Sequence, residues 1–241
     1  MATGPQRDYL GRAQAPASAR AAEIDVGLRA YMQKVFGLMA AGTAVTGLVA
    51  YFGAVSGIYA QLAATPLIWV VVFAPLVFAF IFGMKIQSMR ASTAQMLFWV
   101  FSALMGLSLS YVFLAYTSTS IARTFFIAAA TFAGMALYGY TTKRDLSAMG
   151  SFLIMGVWGL LIAMVVNLFL ASSALHWAIS VIGVLIFTGL TAYDAQKIKE
   201  MYYAGDGAEV ATKKAVIGAL NLYLDFINLF IFMLQFLGER R

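Results

Sequence analysis

Residues 215–237 read AVIGALNLYLDFINLFIFMLQFL, a run of 23 residues whose one acidic side chain is Asp225 and which holds no Lys, Arg or His. A helix needs about 20 largely apolar residues to cross the hydrocarbon core of a bilayer, and this stretch supplies them. Six more stretches of the same kind precede it, at 33–54, 68–86, 94–114, 121–140, 150–171 and 177–196. Composition points the same way: 62% of the 241 residues are hydrophobic and only 11% are charged, too little charge to cover a soluble surface. The reading is an all-α integral membrane protein, a seven-transmembrane-helix bundle over residues 30–238, with no soluble domain.

Residues 1–29 differ in kind. They are rich in Ala, Arg and small polar residues, carry Pro5 and Pro16, and show no helical apolar stripe, so they read as a mobile cytoplasmic tail. With no apolar core close to Met1 they do not read as a signal peptide.

The cations set the orientation. Arg7, Arg12, Arg20, Arg29, Lys34, Lys85, Arg90, Lys143, Arg144, Lys197, Lys199, Lys213 and Lys214, 13 of the 16 basic residues, fall on one side of the predicted spans, and Arg123, Arg240 and Arg241 on the other. Cytoplasmic loops carry the Lys/Arg excess, which puts the amino terminus in the cytoplasm and, after seven crossings, the carboxyl terminus outside. The net charge of +6 is then a topology signal with an affinity for the lipid bilayer. A nucleic-acid partner is not indicated, because such a surface gathers its charge in one folded patch.

Other chemistry is sparse. There is no cysteine, hence no disulfide or thiolate metal site. The single histidine, His176, precedes span six without a second metal-binding partner. No phosphate-binding glycine loop is present, and no cofactor is implied. Pro75 predicts a local kink in span two, Gly53 and Gly57 form a GxxxG packing signal, Asn167 reads as an interhelical hydrogen-bonding group, and Arg123 as a residue reaching for the interface.

Two of the ten acidic residues, Asp194 and Asp225, fall inside apolar spans. A charged Asp at mid-span costs roughly 2.5–3.5 kcal/mol on insertion scales, so the pair requires a reason. Asn221, Asp225, Asn228 and Gln235 recur on one face of span seven, and Ser180, Gly183, Thr191 and Asp194 on one face of span six. Such faces avoid lipid and turn toward each other or toward water, which makes span seven the candidate for a central helix. At 1.5 Å per residue Asp225 lies about 15 Å inside its span, and Asp194 lies near the cytoplasmic end of its own. Two carboxylates in one low-dielectric site cannot both ionise cheaply and would hold one proton between them. Alternatively they would hold a cation: calcium takes several oxygen ligands, and Asn221 and Asn228 are candidate accessory ligands, with Thr191 and backbone carbonyls. Arg90, where span three meets the cytoplasm, reads either as an interfacial cation or as a salt-bridge partner of Asp194 that latches the mouth until the acid is protonated.

The segment Leu190-Thr-Ala-Tyr-Asp-Ala-Gln-Lys-Ile-Lys199, followed by Ala219-Leu-Asn-Leu-Tyr-Leu-Asp-Phe-Ile-Asn-Leu-Phe230, resembles the signature of the Bax inhibitor-1, or transmembrane Bax inhibitor motif, family. The Thr-Lys-Arg-Asp-Leu-Ser run at 142–147, the span count and Arg90 fit as well. The resemblance covers roughly residues 30–237. It implies a seven-helix bundle with the last helix central and a pH-sensitive calcium leak, in which Asp194 and Asp225 form the calcium/proton pair and Arg90 is the gate. It also implies, for some bacterial members, modulation of a membrane-anchored ATP-dependent protease. The compact chain, without an organelle signal, points to a bacterial inner membrane.

Two rival readings stand beside this one. Intramembrane aspartyl proteases also set one Asp in each of two neighbouring helices, and Tyr193-Asp194 matches one half of their signature. Leu222-Tyr223-Leu224 before Asp225 departs from the glycines that the other half requires, so an enzyme is not the favoured reading. A non-conducting protein that acts through its tail or loops on a membrane protease or another membrane partner is the second rival.

Overall fold

The computed structural model describes residues 17–241, with side chains described from residue 25 onward. The helices are α1 (Ala17–Val55), α2 (Ile58–Ala63), α3 (Ile68–Lys85), α4 (Ala91–Ser108), α5 (Ser110–Ala115), α6 (Ser118–Thr141), α7 (Ser147–Leu170), α8 (Ser173–Glu200) and α9 (Ala208–Leu237), with a 3₁₀ turn at Ile86–Ser88. Among the described residues there is no strand, only an isolated antiparallel bridge between Tyr116 and Arg240. Among the described residues, seven helical segments are long and apolar enough to cross a membrane: Asp25–Val55, Ile68–Ser88, Ala91–Ala115, Ser118–Thr141, Ser147–Leu170, Ser173–Glu200 and Ala208–Leu237. The fold is thus an all-α membrane bundle, and each segment coincides with one predicted span.

The differences lie at the ends and breaks. The predicted tail over 1–29 is helical in its second half: α1 begins at Ala17, and four of the 13 residues from Ala17 to Arg29 are alanine, the strongest helix former. Residues 1–16 lie outside the described residues. Span three is two helices, α4 and α5, divided at Leu109 (φ −84°, ψ 3°). Pro75 sits inside a continuous α3. Of the GxxxG pair, Gly53 packs: a Cβ there would meet the Ser110 hydroxyl. Gly57 instead turns the chain, with φ +75° ahead of α2, a conformation glycine adopts at no steric cost.

The last span is the most enclosed of the seven. It packs against α8, α1, α6 and α4. Tyr223 anchors it. The ring is fully buried and meets Phe98 and Phe101 edge-on at 6.0 and 5.6 Å between centroids. Its hydroxyl lies 2.6 Å from Thr46 Oγ1, which lies 2.8 Å from the Ser102 carbonyl. A carbonyl only accepts, so Tyr223 donates to Thr46 and Thr46 donates to Ser102. One chain of hydrogen bonds thus joins α9, α1 and α4, satisfying polar atoms that lipid could not. Close helix approach is achieved with small residues: Gly139 of α6 lies against the Ala192 backbone of α8, and Gly183 of α8 against the Phe232 ring of α9.

Candidate functional site

Helices α8 and α9 run antiparallel. Gly218 faces Ile198, Gly183 faces Phe232, and Ser180 Oγ donates to Gln235 Oε1 at 3.3 Å. That register brings Asp194, in the last two turns of α8, beside Asp225 of α9, with the two carboxyl groups within hydrogen-bonding reach of each other. Asp225 is only 5% exposed, and its Oδ2 is buried without a hydrogen-bond partner among the described residues. A carboxylate oxygen removed from water and left without a donor is costly. The arrangement is therefore chemically suited to hold a proton shared between the acids, or a cation.

Exposure changes along the face that carries the pair. Asn221, one turn from Asp225 on α9, is exposed, Asp194 is half-buried, and Asp225 is buried. The polar face therefore leads inward from one end of the bundle. The other sequence candidates sit apart. Asn228 is half-buried and its Nδ2 donates to the Leu224 carbonyl of its own helix at 2.8 Å. Thr191 likewise donates to Phe187 O at 2.7 Å. Arg90 is exposed, precedes the first turn of α4, and forms no salt bridge with any described residue. The structure thus brings Asp194 and Asp225 together, and among the described residues no hydrogen bond or ion pair joins Arg90, Asn221 or Asn228 to them. Among the described residues no three His, Cys, Asp or Glu gather in a cluster able to hold a metal ion.

The sequence reading passed over Gln196, two residues from Asp194. Its side chain is buried and bridges to the α6–α7 connection: Nε2 donates to Arg144 O at 2.7 Å and Oε1 accepts from Leu146 N at 2.9 Å. Lys199 adds a third tie, donating to Tyr140 O at 2.8 Å. In the same connection Asp145 accepts from Ser147 N at 2.8 Å, and the Ser147 hydrogen bonds hold its exposed carboxyl below the usual carboxylate range. The end of α8 that carries Asp194 is thereby fastened to the 142–147 loop. An amide inside a span two residues from an acid was the available signal. Asn167, read as interhelical, instead accepts from Ser172 N at 3.1 Å within the α7–α8 connection. Arg123 lies 3.7 Å from Glu239.

Residues 28–241 match the family described as inhibitor of apoptosis-promoting Bax1. An uncharacterised protein, RP147, of Rickettsia prowazekii is 51% identical over 90% of this chain and 92% of its own length. A protein of Caulobacter vibrioides is 46% identical over 94% of this chain and 95% of its own. The inner membrane protein YbhL of Escherichia coli K12 is 43% identical over 89% of this chain and 94% of its own.

Proposed function

The chain belongs to the Bax inhibitor-1 family of membrane proteins, and from that premise we propose that it is a pH-sensitive calcium leak of a bacterial inner membrane, with its amino terminus in the cytoplasm. The observation that carries the reading is the meeting of two carboxyl groups from adjacent helices inside an apolar bundle, one of them with an unsatisfied buried oxygen. Proton and calcium compete for those oxygens. Two carboxylates, assisted by water and the exposed Asn221, fall short of the six to eight oxygens of a storage site, so the ion is held weakly enough to leave. Arg90 is the gate: it pairs with Asp194 while that acid is ionised and lets go when the acid is protonated. Its unpaired position corresponds, on this reading, to the unlatched state. The inner-membrane location rests on the likeness to YbhL, and the orientation on the excess of basic residues facing one side.

Calcium flux into liposomes loaded with a fluorescent indicator tests the proposal. Wild type passes calcium, with flux rising as pH falls from about 8 to 6 as the latch releases. Asp225→Asn removes the pH response, and Arg90→Ala keeps flux high across the range. An absence of flux from reconstituted wild type, or an unchanged pH profile in Asp225→Asn, contradicts the reading. The first of these results would leave a non-conducting regulator of a membrane protease as the remaining account.

A further inference from the structure

At the end of the bundle away from Asp194, a cavity of about 300 Å³ is lined by Asn167, Ala171, Ser172, Ser173, His176 and Arg240. Among the described residues no acidic side chain lines it. The nearest in sequence, Glu239, is directed at Arg123, 3.7 Å away. The polar groups that line it are donors or are free to donate. Arg240 contributes a guanidinium. Asn167 has already used its Oδ1 on Ser172 N and its carbonyl on Ala171 N, which leaves its Nδ2 hydrogens. The Nε2 of His176 is buried and has no hydrogen-bond partner among the described residues.

Arg240 is brought there by deliberate pairing. Its residue bridges Tyr116, Thr117 N donates to Glu239 O at 3.1 Å, Arg241 N donates to Ala115 O at 3.0 Å, and Glu239 N donates to Ser120 Oγ at 2.9 Å. The guanidinium also lies 6.0 Å from the centroid of the Tyr116 ring. Four residues after the last transmembrane helix are thus clipped onto the α5–α6 connection, and the clip fixes a cation over a cavity belonging to the α7–α8 connection. Ordering these four residues costs conformational entropy, and their pairing holds Arg240 at the cavity.

We propose that this cavity is a binding site for a phosphate group, held by the Arg240 guanidinium with the His176 imidazole and the Asn167 amide. A phosphate offers several acceptor oxygens to converging donors, and a guanidinium binds it through paired hydrogen bonds. The group is supplied either by the headgroup of an anionic phospholipid or by free phosphate. The site is separate from the carboxyl pair and does not depend on ion conduction.

His176 is the only histidine in the chain, so its ring resonances are an unambiguous reporter. The experiment uses histidine-labelled full-length protein in phosphate-free maltoside micelles, titrated in one arm with inorganic phosphate and in the other with short-chain phosphatidylglycerol. Potassium chloride is the ionic-strength control. A saturable displacement of the His176 signals is expected in at least one arm, weakened at least about tenfold in Arg240→Gln and partly kept in Arg240→Lys. Saturation with phosphatidylglycerol alone identifies a lipid headgroup, with phosphate alone the free ion, and with both a general phosphate site. Displacement that does not saturate in either arm, that potassium chloride reproduces, or that Arg240→Gln leaves unaltered overturns the proposal.

Discussion

The seventh span and the fifth are both long apolar helices, yet the protein uses them oppositely. In Ala208–Leu237 72% of the most apolar stretch is buried inside the protein, against 11% in Ser147–Leu170. The fifth span presents Phe152, Trp158, Leu168 and Phe169 outward, where lipid solvates them as well as protein would. The seventh carries Tyr223 and Asp225 inward, where only protein, water or an ion can satisfy them. Hydrophobicity identifies a crossing; the polar side chains inside it reveal which crossing faces the interior. A membrane helix that can afford an aspartate is one that has neighbours on most sides.

The contrast is sharpest at the glycines. Gly139→Ala drives a Cβ against the backbone of Ala192, which cannot retreat without parting α6 from α8, and should destabilise the protein by about 2–3 kcal/mol. Gly159→Ala, on the fifth span with nothing near its Cβ, should be neutral or stabilise by up to about 1 kcal/mol. Thermal unfolding in detergent compares them, and equal effects would break the distinction between a glycine packed on a neighbouring backbone and one open to lipid. Next in size, Gln196→Ala leaves Leu146 N without its acceptor and should cost about 2 kcal/mol. It should also increase proteolysis of the 142–147 loop, which measures how firmly the Asp194 end of α8 is fastened. Smallest is Tyr223→Phe, which removes the donor to Thr46 and keeps the ring packing, at about 1 kcal/mol in the same melt.

Much of this was legible in the chain because the bilayer imposes simple demands. Each crossing needs about 20 apolar residues, so all seven could be placed, and acids that break an apolar run stand out, so Asp194 and Asp225 could be named. What escaped depends on tertiary neighbours. The start of α1 at Ala17 reflects local propensity, which a search for apolar stripes does not weigh. The division of span three at Leu109 lies where α5 packs against α1 around Gly53 and Ser110. The fate of the amides could not be read either. Helical spacing puts Asn221 and Asn228 near the Asp225 face, but the first is exposed and the second bonds its own helix, because an amide can satisfy itself in several ways where a buried carboxylate cannot. The Gln196 bridge and the Arg240 clip join residues 50 or more positions apart, and no local pattern announces them.

Proton release on calcium addition is the most direct probe of the proposed exchange at the carboxyl pair. Purified protein in weakly buffered detergent near neutral pH, titrated with calcium against a pH indicator, should release protons in wild type and none in Asp225→Asn. Wild type that binds calcium without releasing protons, or an Asp225→Asn variant that releases as many, would contradict it.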